Sequence, residues 1–161
     1  MTRVMILLTV ASSVVLFTRA PAGEKTKPTV LNAGELKVFN LTNDERKKKE
    51  LRPLVLSPFL SKLARAHSAN MAKQMKMEHK LDDKTPFDRL RDAGYKFAAA
   101  SENIGMGDED ATIEMIMEAW MASPAHRANI LQTEFTEIGV GIARDQKGLI
   151  YYTQLFGRPQ K

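Results

Sequence analysis

Three histidines are the side chains of this sequence best suited to acid–base or metal chemistry, and each sits in a different setting. His126 follows Ser123-Pro124, where serine as N-cap and proline at the first helical position start a short helix. It therefore lies in the first turn, ahead of the apolar Ile130-Leu131. Ser123 and His126 are three residues apart, but the serine is already accounted for as a cap. His79 leaves a helix for the polar loop 80–84, where packing does not call for a histidine; an ordinary solvated residue is the alternative. His67 falls on an apolar stripe with Leu60 and Leu63 and reads as a core histidine with a satisfied hydrogen bond. The chain has no cysteine, which excludes thiol catalysis and cysteine metal sites. No nucleophile elbow, no His-Glu-x-x-His pair and no serine with an assignable His-Asp pair is present.

The elements that must carry these residues follow from periodicity and punctuation. A first helix is expected over Ala33 to Lys49, with Leu36, Phe39 or Asn40, Asn43 and Arg46 on one face. Its basic run Arg46-Lys-Lys-Lys49 suits a helix C-terminus and reads as a solvated face rather than a nucleic-acid site. Leu51 to Leu54 is extended before and around Pro53. The second helix opens at Ser57-Pro58, with Leu60, Leu63, His67, Asn70 or Met71, and Gln74 in line. Thr85-Pro-Phe-Asp88 is a capping box for a third helix, Pro86 to Ala93, stopped by Gly94. Ser101 to Gly105 reads as a short strand. Asp108 to Asp110 forms the acidic entry to a fourth helix. In that helix Ile113, Ile116, Met117, Trp120 and Met121 recur at helical spacing. A hairpin closes the chain. Ile138, Val140 and Ile142 alternate with Gly139, Gly141 and Ala143, so a helix can pack close to the bare face. Asp145 to Gly148 is the turn and Leu149 to Phe156 the partner strand. Helices early and antiparallel strands late point to an α+β layered domain.

Residues 1–22 read as a signal peptide: Arg3, an apolar run from Val4 to Phe17, and a small-residue site at Ala20-Pro-Ala22. The run is shorter than the roughly 20 residues that span a bilayer; an uncleaved anchor is the alternative. Residues 23–33 form a polar spacer. With Arg3 and Arg19 set aside, the formal charge falls from +5 to +3, too mild to imply a nucleic-acid partner. An exported chain without disulfides must be held by its core alone.

Several ordered motifs then coincide. They are Asn43-Asp-Glu-Arg46, Leu51-Arg-Pro-Leu54, Ala66-His-Ser68 with Met71-Ala72, and the loop His79. Thr85-Pro-Phe-Asp-Arg-Leu90, Ala93-Gly-Tyr95 and Glu102-Asn-Ile104 come next. Ala119 to Leu131, Phe135 to Gly141 and Tyr151-Tyr-Thr-Gln-Leu-Phe156 complete the series. Together they resemble the CAP superfamily of cysteine-rich secretory proteins, antigens and pathogenesis-related proteins, most nearly its disulfide-free bacterial branch. The resemblance covers residues 34–157, leaving 158–161 as a tail.

The resemblance implies a three-layer α-β-α sandwich, a small and mostly antiparallel sheet between helical layers, with a central cavity. It implies secretion, or a periplasmic or cell-envelope location. Eukaryotic members hold two histidines and two glutamates in the cavity. On this sequence His79 matches the first histidine and Glu102 the first glutamate. The second glutamate falls near Ser123 and the second histidine on Tyr151, so both are replaced. His126 is typical of the bacterial branch. The resemblance thus gives a cavity of His79, Glu102, Ser123, His126 and Tyr151, with His79, Glu102 and His126 as the set able to hold a divalent cation such as zinc. Trp120, Pro124, Asn129 and Asn43 are structural markers. A further departure is Glu50, where many bacterial relatives carry a helix-stopping glycine. The expected function is a monomeric, non-enzymatic binding module. Its partner would be a lipid or sterol, an envelope component or another protein. A metal-dependent hydrolase or peptidase is the alternative.

Overall fold

The computed structural model describes residues 31–160. The expected leader 1–22 and residues 23–30 of the expected spacer 23–33 lie outside the described residues. The C-terminal hairpin forms the centre of the sheet. β3 (Glu137–Arg144) and β4 (Ile150–Pro159) pair antiparallel, Glu137 facing Gly157 and Arg144 facing Ile150. Their turn is the expected one: Gly148 takes a φ of 89°, and the Asp145 carboxylate accepts from the backbone N–H groups of Lys147 and Leu149. β2 (Phe97–Gly107) adds antiparallel to β4, and β1 (Val55–Leu56) lies parallel to β3, so the order is β1-β3-β4-β2. β2 is longer than the 101–105 expected, because the alanine run continues the ladder, Ala99 facing Arg158 and Ala100 facing Gly157. β4 correspondingly takes in Arg158 and Pro159, two residues of the expected tail.

Side chains alternate across the sheet, and the two faces of β3 set the two layers. Gly139 and Gly141 face α2 (Pro58–Gln74). A Cβ at Gly139 would collide with the Leu60–Ser61 backbone, and one at Gly141 with Ala64–Arg65. The buried face of α2 is matched to this close approach: Ser61, Ala64 and Ser68 lie on it beside Leu60, His67, Met71 and Ala72. The stripe expected through Leu63 and Gln74 is therefore rotated toward small residues, since only they admit the backbone of β3. Ser68 Oγ donates to Gly141 O at 3.0 Å and lies 2.8 Å from Thr153 Oγ1. α3 (Pro86–Asp92) joins this layer through Leu90, packed with Leu60, Ala64 and Leu155.

On the other face lie α1 (Ala33–Lys47), α4 (Ile113–Ala122) and α5 (Pro124–Leu131). Val38, Met117, Trp120 and Ile130 pack there against Ile138, Val140, Tyr152 and Phe156. The three-layer α-β-α arrangement is thus present. α1 buries a largely polar face, Glu35, Val38, Thr42 and Arg46, whereas the expected Leu36 is 46% exposed. Arg46, expected in a solvated run, is 2% exposed. Its Nη1 donates to the carbonyls of Ile130 and Gln132 at 2.8 Å, and its Nε to Arg52 O at 3.0 Å. It ties the end of α5 and the loop after α1 to the core, satisfying three carbonyls at once, the buried one of Ile130 among them.

Helix ends follow the sequence closely. Ser57 Oγ accepts from Leu60 N, and Thr85 and Asp88 form the expected capping box. α4 starts later than expected, with Thr112 as its cap; Asp108 accepts from the N–H groups of Asp110 and Ala111 in a turn of its own. Three helices end alike. Glu50, Met75 and Gly94 have φ of 56°, 52° and 81°. The residue after each bonds back to Arg46, Met71 and Leu90 respectively, five residues earlier. This is the Schellman closure, with glycine in one of the three left-handed positions.

Candidate functional site

Glu102 sits on β2 opposite Leu155, with its side chain in the α2 layer and only 2% exposed. Its two oxygens have separate partners. Oε1 lies 2.9 Å from His79 Nδ1, and Oε2 accepts from Arg89 Nη2 at 2.6 Å. A carboxylate accepts only, so His79 donates to it from Nδ1, on a ring that is half-exposed. His67 Nε2 stands 3.7 Å from the same Oε1.

The loop that carries His79 is held from two sides. Asp82 accepts from Asn70 and Gln74 of α2. Arg89 Nη1 donates to the carbonyls of His79 at 2.8 Å and Lys84 at 3.2 Å. One guanidinium thus positions both the histidine loop and the carboxylate.

His67 departs from expectation. It is buried, at 1% exposure, but neither ring nitrogen has a hydrogen-bond partner. Burial pushes its pKa down to about 4, outweighing the opposing pull of the Glu102 carboxylate. It is a core histidine in an unsatisfied setting, beside the cavity carboxylate.

His126 comes from the opposite layer. It lines, with Ser123, a cleft of about 300 Å³ walled by Met77, Ile104, Gly105, Met106, Ile116, Ala119 and Trp120. Burial, and secondarily the charge of His79, lower its pKa. Ser123 does occupy the N-cap position of α5, but its hydroxyl makes no capping bond. Tyr151 is not at the carboxylate: its hydroxyl donates to Asp145 Oδ2 at 3.2 Å, and its ring packs with Met71, Leu81 and Ile104. Burial, then the Asp145 contact, raise its pKa.

The marker residues form the frame. Trp120 Nε1 donates to Ile104 O at 2.8 Å, its ring lying against Gly105. Asn129 donates to Asn103 Oδ1 at 2.8 Å; Asn103 donates to His126 O at 3.1 Å and to Gln154 Oε1 at 3.0 Å. Gln154 continues to Thr42 on α1 at 2.7 Å. Pro124 is the first residue of α5. The Asn43 side-chain amide pins both the N–H and the carbonyl of Leu54.

Among the described residues, no group of three or more His, Cys, Asp or Glu is placed to hold a metal ion. The expected set of His79, Glu102 and His126 does not fit one. Glu102 has no open oxygen, His79 points its protonated nitrogen at it, and a guanidinium occupies the remaining side. The residue that sequence reasoning missed is Arg89; His67 was read as a core histidine and is buried, but its place beside Glu102 was not foreseen. Arg89 lies inside the Thr85–Leu90 motif, but its type and spacing give no sign of its role, which depends on a loop and a strand brought together in space. For His67 the signal was its place among small residues on α2; the nearest carboxylate oxygen, Glu102 Oε1, stays 3.7 Å away.

Comparison with known proteins places this architecture. The family model described as "Cysteine-rich secretory protein family" (CAP) matches residues 39–156. An uncharacterized protein of Bacillus subtilis, YkwD, is 40% identical over 147 residues, covering 87% of this chain and 56% of its own length. This chain spans about half the length of the curated Bacillus relatives it matches. An outer surface protein of Borrelia burgdorferi has the same fold, with a TM-score of 0.73 and 21% identity over 81% of this chain and 97% of its own. An extracellular protein of Bacillus anthracis containing an SCP domain superposes with a TM-score of 0.70 at 30% identity, covering 79% of this chain and 41% of its own. Among the described residues, no helix is long and apolar enough to cross a membrane.

Proposed function

The chain belongs to the cysteine-rich secretory protein, or CAP, family, and on that premise we propose that it is a secreted, non-enzymatic binding domain whose ligand enters the cleft between β2 and α4. One observation carries this reading: His79, Glu102 and Arg89 are committed to one another, while the adjoining cleft is largely apolar and open. Glu102 is held by His79 and Arg89, so it is not free to act as a general base. The cleft walls of Ile104, Ile116 and Trp120, with Met77 and Met106 at the rim, form a concave apolar surface with two polar groups, Ser123 and His126, at one end. That combination suits an apolar group oriented by a few polar contacts. A lipid or another apolar envelope component is the ligand class it favours. The hydrolase alternative is not carried forward, because its metal set does not fit among the described residues.

The protein reports on its own cleft, because Trp120 is its only tryptophan. Titration with vesicles of extracted envelope lipid should change its fluorescence saturably. Ala119→Leu, an exposed position on the cleft wall, should weaken that response about tenfold by filling the space, an effect of roughly 1.4 kcal/mol. Turnover of peptide or ester substrates that disappears in Glu102→Gln would overturn the reading.

A further inference from the structure

We propose that Arg89 is the resident cation of the CAP cavity in this protein, and that it excludes the divalent metal which the family likeness would allow there. The geometry is that of a filled site. Arg89 Nη2 meets Glu102 Oε2 at 2.6 Å, and the guanidinium side chain is only 17% exposed. Its other nitrogen is fixed by two carbonyls, His79 O and Lys84 O. The cation is therefore anchored on three sides and cannot swing away without releasing the loop. A zinc ion bound to Glu102 would lie about 2 Å from a carboxylate oxygen, within a few ångströms of that guanidinium. Two positive charges in a largely buried site repel strongly, because little water screens them. Arginine is always charged, so acid or base in the ordinary range does not lift the exclusion.

A second consequence concerns what lies behind the guanidinium. Across a tetrahedral zinc, a nitrogen and an oxygen ligand stand roughly 3.4 Å apart, from bond lengths near 2.1 Å. Glu102 Oε1 has His79 Nδ1 at 2.9 Å and His67 Nε2 at 3.7 Å, on either side of that separation. His67 has both nitrogens unpartnered. With the positive charge removed, the carboxylate is left uncompensated beside imidazoles. It then recruits a divalent cation, with small movements of the half-exposed His79 completing the coordination. Arg89 is thus a positioning residue for the cavity and the determinant of its ligand selectivity.

The test is a metal titration of the full chain after chelator treatment, followed by calorimetry and by thermal unfolding. Wild type should show no saturable Zn²⁺ or Mn²⁺ binding and no change in melting temperature. Arg89→Gln, which keeps a donor for the loop carbonyls, should gain one site. At about a hundred times its Kd, zinc should raise the melting temperature by roughly 8 °C. Arg89→Lys keeps the charge and should remain unresponsive, and the gained site should vanish in Arg89→Gln/Glu102→Gln. A structural role alone would lower stability in both Arg89 variants without conferring any cation response. Stoichiometric metal in wild type, lost on Glu102→Gln, would overturn the proposal. So would an Arg89→Gln protein that is folded by circular dichroism yet indifferent to zinc. If Arg89→Gln does not fold, the wild-type titration still decides, and Arg89→Met serves as the second charge-removing variant.

Discussion

Replacing His67 by methionine should make the protein more stable at neutral pH, not less, and should remove much of its sensitivity to mild acid. His67 is a fully enclosed ring whose two nitrogens find no partner. Leaving a buried polar group unsatisfied costs about 1–3 kcal/mol. Methionine has a similar reach and is adaptable, and fills the space beside Met71 without polar atoms to satisfy. Allowing for imperfect packing, we expect a gain of about 1 kcal/mol at pH 7. The pH effect has a definite sign. Burial holds the folded pKa at about 4, below the unfolded value near 6.5. Between those values the unfolded chain binds a proton that the folded chain does not. Stability is therefore complete above about pH 6.5, declines as the pH falls toward 4, and levels off below it. The difference of about 2.5 units corresponds to roughly 3 kcal/mol across that window. The groups acting on the ring are the Glu102 carboxylate and the Glu78 carbonyl, which favour its charged form, and Arg89 and His79, which oppose it. Urea unfolding at intervals from pH 7 to pH 4 would measure both effects. Equal pH dependence in wild type and His67→Met, or a loss of more than about 1 kcal/mol at pH 7, would show that the ring is not held neutral and unsatisfied.

Other outcomes follow from the same structure. Glu50→Gly should stabilise by about 0.5–1 kcal/mol, since the left-handed backbone costs a side-chain-bearing residue about 1–2 kcal/mol and glycine gives back part of that in entropy; thermal unfolding would show a rise of a few degrees. Gly141→Ala should destabilise by about 3 kcal/mol or more, because the new methyl meets the Ala64–Arg65 backbone, which cannot yield as a side chain would. Urea unfolding would measure that loss. Glu102→Ala should cost about 3 kcal/mol by leaving Arg89 without its counter-charge, and adding Arg89→Met should restore part of the loss. A double-mutant cycle by chemical denaturation reads that coupling; strict additivity would deny the ion pair.

Much of the fold was legible because it is written in local rules. The Ser-Pro and Thr-Pro starts, the Gly94 stop, the Asp145–Gly148 turn and the bare face of β3 depend on neighbouring residues alone. The misses arose where distant segments decide. The buried face of α2 runs through Ser61, Ala64 and Ser68 because β3 brings glycines to it, not because those residues are apolar. Arg46 looked like one of four equivalent cations, and only the carbonyls of Ile130 and Gln132 single it out. The candidate site was half legible. His79 and Glu102 do meet. Tyr151 is taken by Asp145, and His126 is on the opposite layer. Arg89 carries no local signature, since the loop it fastens and the strand it neutralises are 10 and 13 residues away in sequence.

The central position of the last hairpin also dictates when the molecule can come into being. Each apolar cluster includes residues of β4: Tyr152 and Phe156, Tyr151, or Leu155. Helices α1 and α2 emerge first in synthesis, but the surfaces they rest on come last. A chain interrupted before residue 150 has neither a sheet to cover nor a layer to separate. Folding must wait for long-range closure and should be slow for a protein of this size. The nascent chain is in effect a linear polymer until β4 has emerged, a state open to proteases and chaperones. It becomes a domain in one late, cooperative step.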